Sequence, residues 1–203
     1  MTPTFEAGVD AHESNCPFCT IADHFPPFSA TSPPNDHDHH ETDPTKTTPA
    51  AFVVLSTDTL IAFLDIMPLS RGHLLLCTRT HRPKLTDATR DEAADLGRHL
   101  PILSKALTRV TGVEDWNVVQ NNGAAAAQVV MHLHFHLIPR PELRASGRYS
   151  ESFTMFGRGK REDLDEEDAD QLARELREAI ADILREEDEE GEGVESRKDK
   201  SKL

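Results

Sequence analysis

Residues 131–140 carry three histidines at alternate positions, His132, His134 and His136. Side chains of a strand alternate between its two faces, so the three imidazoles should point one way and the apolar residues between them the other way. Imidazole exchanges protons near neutral pH, and a neutral imidazole can be aimed by its neighbours. The spacing therefore predicts a strand with a core face and a reactive face. A histidine-rich strand without a function, or an accidental metal cluster, is the alternative interpretation.

Cys16 and Cys19 form a second group with chemical potential. A Cys-x-x-Cys pair can be a redox pair, half of a zinc site or a chance occurrence. Tetrahedral zinc needs four ligands, and thiolates with imidazoles are its common set. No βαβ pattern of the thioredoxin kind surrounds the pair, which argues against redox chemistry. Cys77 lies in an apolar run and is predicted to be a buried, unreactive residue.

Composition and charge exclude several classes of protein. The formal net charge is −14, and most of it lies between Glu162 and Glu192. An acidic chain repels phosphate backbones, so we expect no nucleic-acid partner, whereas a small nucleotide in a local pocket remains compatible. Three cysteines do not make a disulfide framework, which favours a reducing compartment. No apolar run approaches the roughly 20 residues that span a bilayer, so we expect no membrane association.

The elements that must position these residues alternate between strand-like and helix-like patterns. A long helix with apolar residues every three or four positions is predicted from Thr86 to Val110, capped by Thr86 or Asp87. A second helix carries a narrow apolar stripe on an acidic segment. These patterns predict an α+β fold with a mainly antiparallel sheet. The five predicted strands are 52–55, 60–64, 73–78, 116–120 and 131–138.

The chain divides into one main domain with appendages. Residues 1–15 are predicted to be a flexible N-terminus, and 16–160 the domain itself. Within it, 26–50 is a Pro- and His-rich stretch that reads as a solvated loop insertion. Residues 161–185 are predicted to form the acidic C-terminal helix, and 186–203 a charged, disordered tail.

The histidine motif followed by Leu-Ile-Pro-Arg resembles the signature of the histidine triad (HIT) superfamily, in particular its Hint-like branch. The resemblance covers most of residues 16–140. It implies a HIT-like fold with a five-stranded sheet and two principal helices, in a homodimer whose sheets join edge to edge. Related residues also stand at Leu64-Asp65-Ile66, Gly72-His73-Leu74-Leu75-Leu76, Asn121-Asn122-Gly123 and Gln128.

The resemblance assigns roles to the triad. His134 would attack the α-phosphorus of a nucleotide and form a nucleotidyl-histidine, which water then hydrolyses. His136 would orient His134 and assist proton transfer, and His132 completes the catalytic triad. The resemblance to the zinc-bearing branch implies a structural zinc ion held by Cys16 and Cys19 together with His81 and His132.

The resemblance also implies which residues bind the nucleotide. Asp65 would contact the ribose hydroxyls and Asn121 the phosphate side, while Gln128 and Val129 belong to the segment whose amides hold the phosphate oxygens. The sequence departs from the family at two positions. Ala127 stands directly before Gln128, where the family often has glycine, and Val129 stands where many members have serine or threonine. One expected phosphate contact is therefore missing.

The predicted function is hydrolysis at the α-phosphate of a purine nucleotide adduct, as in a nucleoside phosphoramidase. A dinucleoside polyphosphate hydrolase is the first alternative, against which Asn121 and the Cys-x-x-Cys pair argue. A zinc-stabilised, nucleotide-binding module without turnover is the second, motivated by Val129.

The sequence ends in Ser201-Lys202-Leu203, a tripeptide that the peroxisomal import receptor reads at a free C-terminus. This ending predicts a peroxisomal location with that receptor as a partner, and the cytoplasm is the alternative.

Overall fold

Five strands form one antiparallel sheet. The computed structural model describes residues 15–34, 39–141 and 163–200. The spatial order is β1-β2-β3-β5-β4, and every neighbouring pair is antiparallel. The predicted α+β fold with a five-stranded antiparallel sheet is confirmed. The strands are β1 (Val53–Ser56), β2 (Leu60–Leu64), β3 (Leu74–Thr78), β4 (Trp116–Gln120) and β5 (His134–Pro139).

Four helices accompany the sheet in the described part of the chain. The two long helices were predicted, although α3 begins four residues later than expected. Helix α1 was not predicted: it starts directly after Cys16 with Pro17 at its first turn, a position that suits proline because its missing N–H is not needed there. The helices are α1 (Pro17–His24), α2 (His39–Thr42), α3 (Arg90–Thr111) and α4 (Glu166–Lys200).

Helix α3 is closed at both ends by local signals. The Thr89 side chain accepts from the backbone N–H of Glu92, and the Glu92 side chain accepts in return from the N–H of Thr89. The predicted caps Thr86 and Asp87 were wrong, because they lie in a separate 3-10 turn. Gly112 ends the helix in the left-handed conformation, with φ 68°.

Helix α4 is longer than predicted. It continues to Lys200, whereas we expected the acidic helix to end at 185 and a disordered tail to follow. The segment beyond 185 is rich in Glu, Arg and Lys, which are good helix formers because their unbranched side chains lose little freedom in a helix. The high charge of the segment beyond residue 185 therefore did not prevent it from forming a helix.

The sheet buries both of its faces. Helices α3 and α4 cover one face, here called the helix face, where the predicted apolar stripe of α4 packs on residues such as Leu76 and Leu137. Helix α1 covers part of the other face, here called the α1 face, with Phe18 packing on Phe63 and Leu75. The two faces alternate along each strand, as the strand geometry requires. The α4 residues buried in the helix-face core are Ala169, Leu172, Ala173, Leu176, Ala179, Ile180 and Ile183.

The Pro- and His-rich stretch 26–50 is partly packed on the domain. Phe28 donates its backbone N–H to Ser56 and packs against the α1-face cluster, while Ala30 packs against the helix-face core. The predicted N-terminal segment up to residue 14 and the Ser201-Lys202-Leu203 ending lie outside the described residues, so the peroxisomal location stays a prediction. Among the described helices, none has the length and apolar character needed to cross a membrane.

Candidate functional site

His134 and His136 lie on β5 and point to the α1 face of the sheet. The strand register sets His134 opposite Cys77 and His136 opposite Leu75, and both partners belong to the α1-face cluster. The two imidazole centroids are 4.8 Å apart. The alternation predicted from the sequence therefore brings these two rings side by side, with Leu137 on the opposite face.

His132 lies just before the strand, because β5 begins at His134 and not at Met131 as predicted. Its side chain is fully buried. The Nδ1 atom lies 3.3 Å from the Sγ of Cys16, and the Nε2–H donates to the carbonyl oxygen of Thr78 at 2.7 Å. Both ring nitrogens thus face protein atoms, so the geometry places His132 with the cysteines and gives it no nitrogen directed at a substrate.

The position of the proton on His134 follows from its hydrogen bond. Its Nδ1 lies 2.6 Å from the carbonyl oxygen of His132, and a carbonyl oxygen can only accept, so Nδ1 carries the proton. The Nε2 atom then holds a free lone pair in the neutral ring. Burial lowers the pKa of His134 below its usual value, against smaller opposing effects of the His132 carbonyl and Asp65. His134 is therefore a neutral imidazole with an available lone pair.

His73 orients His136. The backbone N–H of Leu69 donates to the Nδ1 of His73 at 3.2 Å, so the proton of a neutral His73 sits on Nε2. This Nε2 lies 2.9 Å from the Nδ1 of His136 and donates to it. The proton of a neutral His136 then sits on its own Nε2. A chain of two hydrogen bonds fixes which nitrogen of His136 can deliver a proton.

His73 is a site residue that the sequence analysis missed, although it lies in the Gly72-His73 stretch of the family resemblance. We assigned it only to a strand, which in the structure starts one residue later, at Leu74. Gly72 has φ +88°, and a Cβ there would come within 2.9 Å of the Thr111 side chain. The close approach at Gly72 is visible only in the structure, so the sequence offered no signal for His73 beyond the family resemblance of this stretch.

Asp65 lies beside these histidines, directly after β2. The residue is buried, its Oδ1 accepts from the backbone N–H of Met67 at 2.9 Å, and its Oδ2 lies 3.4 Å from the Nδ1 of His73. The structure therefore brings Asp65 to the site, where its contact with a ribose stays a prediction.

Gln128 holds the loop between β4 and β5 in place. Its side-chain oxygen accepts from the backbone N–H of Gly123 at 2.6 Å, and its amide nitrogen donates to the carbonyl of Pro83 at 2.7 Å. The side chain is almost fully buried. Gln128 therefore shapes the loop with its side chain, and only its backbone is suited to the predicted contact with phosphate.

The remaining predicted nucleotide-binding residues lie in the same loop. Asn121 directly follows β4 and is half-buried, and Val129 is 55% exposed. Ala127 adopts φ 63°, a left-handed conformation that glycine adopts at lower cost. The loop presents the exposed apolar side chain of Val129 at the position where the family resemblance leads us to expect a hydroxyl.

The four predicted metal ligands meet in one cluster. The Nδ1 of His132 lies 3.3 Å from the Sγ of Cys16 and 3.5 Å from that of Cys19, and the Nδ1 of His81 lies 3.3 Å from the Sγ of Cys19. The four ligand atoms all lie within 4.8 Å of one another. Cys16 precedes α1 and Cys19 lies on its first turn, so the helix presents both sulfurs to the two histidines.

This cluster fits a tetrahedral metal ion. Zn–S and Zn–N bond lengths imply a sulfur-to-nitrogen separation of about 3.5 Å in a tetrahedral site, close to the observed distances. The bond from the Nε2–H of His132 to Thr78 leaves Nδ1 without a proton, as ligation requires. Burial lowers the pKa of His132 to about 4, which keeps this ring neutral. The residues present could therefore hold a metal ion with four protein ligands.

Arg79 fixes the other end of α1. Its guanidinium donates to the carbonyl of Phe25 at 2.9 Å and to that of Thr57 at 3.0 Å, and it also contacts the carbonyl of Ala22 and the hydroxyl of Ser56. The helix that carries the two cysteines is therefore attached to the sheet independently of any metal. Cys77 is fully buried as predicted, and burial raises the pKa of its thiol.

Comparison with known proteins identifies the family. The HIT domain model matches residues 46–143. An uncharacterised HIT-like protein of Methanocaldococcus jannaschii is 35% identical over 116 residues, which are 57% of this chain and 84% of that protein. The chain belongs to the HIT domain family, which agrees with the resemblance stated from the histidine motif.

Two curated relatives carry names that describe an activity. Adenosine 5'-monophosphoramidase of Schizosaccharomyces pombe is 44% identical over 40% of this chain and 58% of its own length. Adenylylsulfatase HINT3 of Arabidopsis thaliana is 40% identical over 42% of this chain and 43% of its own length. The chain thus spans about half the length of these relatives.

Solved structures confirm the fold. A hypothetical histidine triad nucleotide-binding protein from Sulfolobus tokodaii matches with a TM-score of 0.61 and 24% identity, over 83% of this chain and 93% of that one. A Zn-bound histidine triad family protein from Mycobacterium smegmatis matches with a TM-score of 0.58 and 25% identity, over 85% of this chain and 97% of that one.

Proposed function

We propose that this chain is a nucleotide hydrolase that cleaves a purine nucleoside phosphoramidate at the α-phosphate, through a nucleotidyl-histidine formed on His134. One observation carries the proposal: the Nδ1–H of His134 is bound to the carbonyl of His132, which leaves the lone pair on Nε2 free. Nucleophilic catalysis by imidazole needs this tautomer, and the bond selects it before a substrate arrives.

In the first half of the reaction, the Nε2 of His134 bonds to phosphorus and the P–N bond breaks. The leaving amine keeps the bonding electron pair and takes up a proton that reaches it through His136. In the second half, water attacks phosphorus, its proton leaves through His136, and His134 departs as neutral imidazole. The proton consumed in the first half is thus returned in the second, which His136 can mediate because His73 fixes its tautomer.

The surrounding residues position the substrate. The backbone of the loop that Gln128 holds is suited to binding the phosphoryl oxygens, and Asp65 is suited to binding the ribose. Support for the reaction class comes from the relatives, which are named as an adenosine 5'-monophosphoramidase and an adenylylsulfatase. Both names describe hydrolysis of the bond between an adenylyl group and its leaving group, which is the chemistry proposed for His134.

The test compares wild type with His134→Ala on an AMP phosphoramidate. We expect the variant to lose at least ~10³-fold in kcat/KM, because no other group supplies the covalent intermediate. His24→Gln is the matched control, since His24 is an exposed histidine at the end of α1, and it should keep wild-type turnover. Acid-quenched wild type should contain a nucleotidyl-histidine. Equal slow release of AMP by wild type and His134→Ala would refute the proposal.

The same assay separates the two alternatives. Faster turnover of diadenosine triphosphate than of the phosphoramidate would favour the dinucleoside polyphosphate hydrolase. Tight nucleotide binding without a trappable adduct would favour a non-catalytic module, for which the exposed Val129 is the motivating observation. Val129→Ser restores the expected hydroxyl, and we expect it to increase kcat if the wild-type enzyme turns over slowly.

We propose that the ion held by Cys16, Cys19, His81 and His132 is zinc and that its role is structural. The donor set and the sulfur-to-nitrogen distances support zinc, as does the Zn-bound relative from Mycobacterium smegmatis. All four positions of a tetrahedral ion would be filled by protein, so none is open to water.

Metal analysis of the purified chain tests this. We expect one tightly held zinc per chain, and removal by a chelator should speed amide hydrogen exchange in α1 while leaving α3 unchanged. A Cys19→Ser variant should hold the ion more weakly. Equal exchange in α1 with and without the metal would contradict a structural role.

We further propose that the chain forms a homodimer through the β4 edge of the sheet. Strand β4 pairs only with β5 among the described residues, and Trp116 and Val118, on one face of it, are 40% and 46% exposed. Light scattering should give a dimer for wild type and a monomer for Val118→Lys. Leu85→Lys, at a similarly exposed leucine, should stay dimeric, and a monomeric wild type would refute the proposal.

A further inference from the structure

Lys84 lies in the segment that connects β3 with α3, and this segment is fixed to the loop between β4 and β5. On one side of Lys84, the carbonyl oxygen of Pro83 accepts from the side-chain amide of Gln128 at 2.7 Å. On the other side, the backbone N–H of Leu85 donates to the Oδ1 of Asn122 at 2.9 Å. The backbone of Lys84 is thus held to the loop at two points.

The side chain of Lys84 reaches over the start of the same loop. Gly123 has φ +93°, and a Cβ at this position would lie 3.7 Å from the Cε and 3.9 Å from the Nζ of Lys84. The end of the lysine side chain therefore lies against the glycine backbone. Because Lys84 is exposed, a ligand bound at the loop can reach its ammonium group.

Lys84 brings a positive charge to a loop that has no charge of its own. Residues 121–131 contain no charged side chain. The neighbouring Arg82 donates to the carboxylate of Glu92 at 3.0 Å, so its charge is already paired. Asp87 accepts from the backbone N–H of Lys84, and within the described part of the chain the ammonium itself makes no ion pair. The charge of Lys84 is therefore available to a ligand.

The strand register places Asp65 and the loop under Lys84 at opposite ends of β5. Strand β2, which ends just before Asp65, lines up through β3 with Leu137 near the C-terminal end of β5. Strand β4 ends opposite Phe135, near the N-terminal end of β5, and leads directly into the loop. A nucleotide with its ribose at Asp65 and its phosphorus at His134 would therefore have its leaving group on the side of Lys84.

We propose that Lys84 is a specificity-determining residue that binds a negatively charged group on the leaving amine. The inference rests on the proposed function, because it uses the orientation of the nucleotide given there. An ammonium group binds an anion through charge-assisted hydrogen bonds. Since this contact exists both before and during cleavage of the P–N bond, it lowers KM and leaves kcat unchanged.

Two matched substrates test the inference: AMP joined through nitrogen to β-alanine, and AMP joined in the same way to β-alaninamide. They differ in that a carboxylate is replaced by a neutral amide. Wild type should prefer the carboxylate about threefold in kcat/KM, through KM, as expected for an exposed ion pair. Lys84→Gln should make the two substrates about equal, and Lys84→Glu should prefer the amide.

A matched control is needed because the chain has a net charge of −14, which acts on any anionic substrate. Lys105→Gln makes the same change in net charge at an exposed position of α3, where Lys105 pairs with Glu187. This variant should keep the wild-type preference. Loss of the preference in Lys105→Gln as well would overturn the inference, because net charge would then explain the result.

Binding measured without turnover separates this inference from the proposed function. In His134→Ala, calorimetry should show that the carboxylate adduct binds about threefold more tightly than the amide, and adding Lys84→Gln should remove the difference. This pattern in a protein whose wild type shows no turnover would refute the proposed function alone. Equal affinities in His134→Ala, or a preference that survives Lys84→Gln, would overturn the role of Lys84, and no binding of either adduct would overturn both.

Discussion

The two faces of the sheet differ in what their residues do. The helix face buries a continuous apolar core under α3 and α4, in which Leu103, Leu107 and Leu137 are essentially inaccessible. The α1 face buries a smaller cluster that contains all three cysteines and adjoins His134 and His136. The helix face is thus built mainly from apolar side chains, with the buried Arg177 of α4 donating to the carbonyl of Val53. The α1 face mixes apolar packing with groups that could bind a metal or react.

The same strands therefore contribute to stability through their helix face and to chemistry through their α1 face. Strand β5 contributes Leu137 to one side and His136 to the other, at adjacent positions. A substitution on the helix face should therefore act on the free energy of unfolding, and one on the α1 face mainly on the reaction.

The largest effect should come from the helix face. Leu103→Ala removes a fully buried side chain from the centre of α3, and we expect a loss of about 2–5 kcal/mol in the free energy of unfolding, measured in urea. Protein that remains folded should keep wild-type kcat. A matching loss of kcat in folded protein would show that the two faces are not separable.

Phe18→Leu tests the α1 face. The Phe18 ring packs edge-on against His134 at 5.2 Å and against Phe63 at 5.3 Å. Leucine retains much of the apolar volume but loses both ring contacts, so we expect kcat to fall about tenfold, or about 1.4 kcal/mol in transition-state stabilisation. The unfolding midpoint should move less than in Leu103→Ala. Unchanged kcat would contradict a role of Phe18 in positioning His134.

Thr89→Ala should have an intermediate effect on stability. It removes the capping box at the start of α3, and we expect a loss of about 1 kcal/mol in the free energy of unfolding. Thr108→Ala, at a half-buried threonine near the other end of the same helix, is the control. Equal unfolding curves for Thr89→Ala and wild type would show that this cap contributes nothing.

The smallest effect is expected where α3 meets α4 at the surface. Arg109 pairs with Glu186 at 2.8 Å, but both side chains are exposed and water screens the pair. Arg109→Ala should leave the urea midpoint unchanged within error at physiological salt. A clear destabilisation would mean that the helix face depends on charge pairs as well as on its apolar core.

The sequence predicted those elements whose pattern is local. Strand β2 and strand β4 have the predicted bounds, since β-rich runs there are bracketed by turn residues. The neighbouring positions of His134 and His136 followed from alternation along one strand. The cysteines and histidines of the metal cluster followed from the family resemblance, and the structure brings all four together.

The sequence did not predict features that depend on contacts far along the chain. Helix α1 has only eight residues, too few to form without tertiary support such as that from Arg79. The role of His73 depends on β3 pairing beside β5, which no local pattern reveals. The position of His132 beside the cysteines follows from a strand that starts three residues later than predicted, a boundary that periodicity does not fix.

The attachment of α1 by Arg79 has a consequence for how the protein would take up the proposed ion. Because the guanidinium already ties the C-terminal end of this helix to the sheet, both sulfurs are held near His81 and His132 before loading. Binding of the ion then requires little further ordering of the chain. The protein can therefore fold first and bind the ion afterwards. We expect the apoprotein to stay folded after the ion is removed, unlike small zinc domains that unfold when the ion leaves.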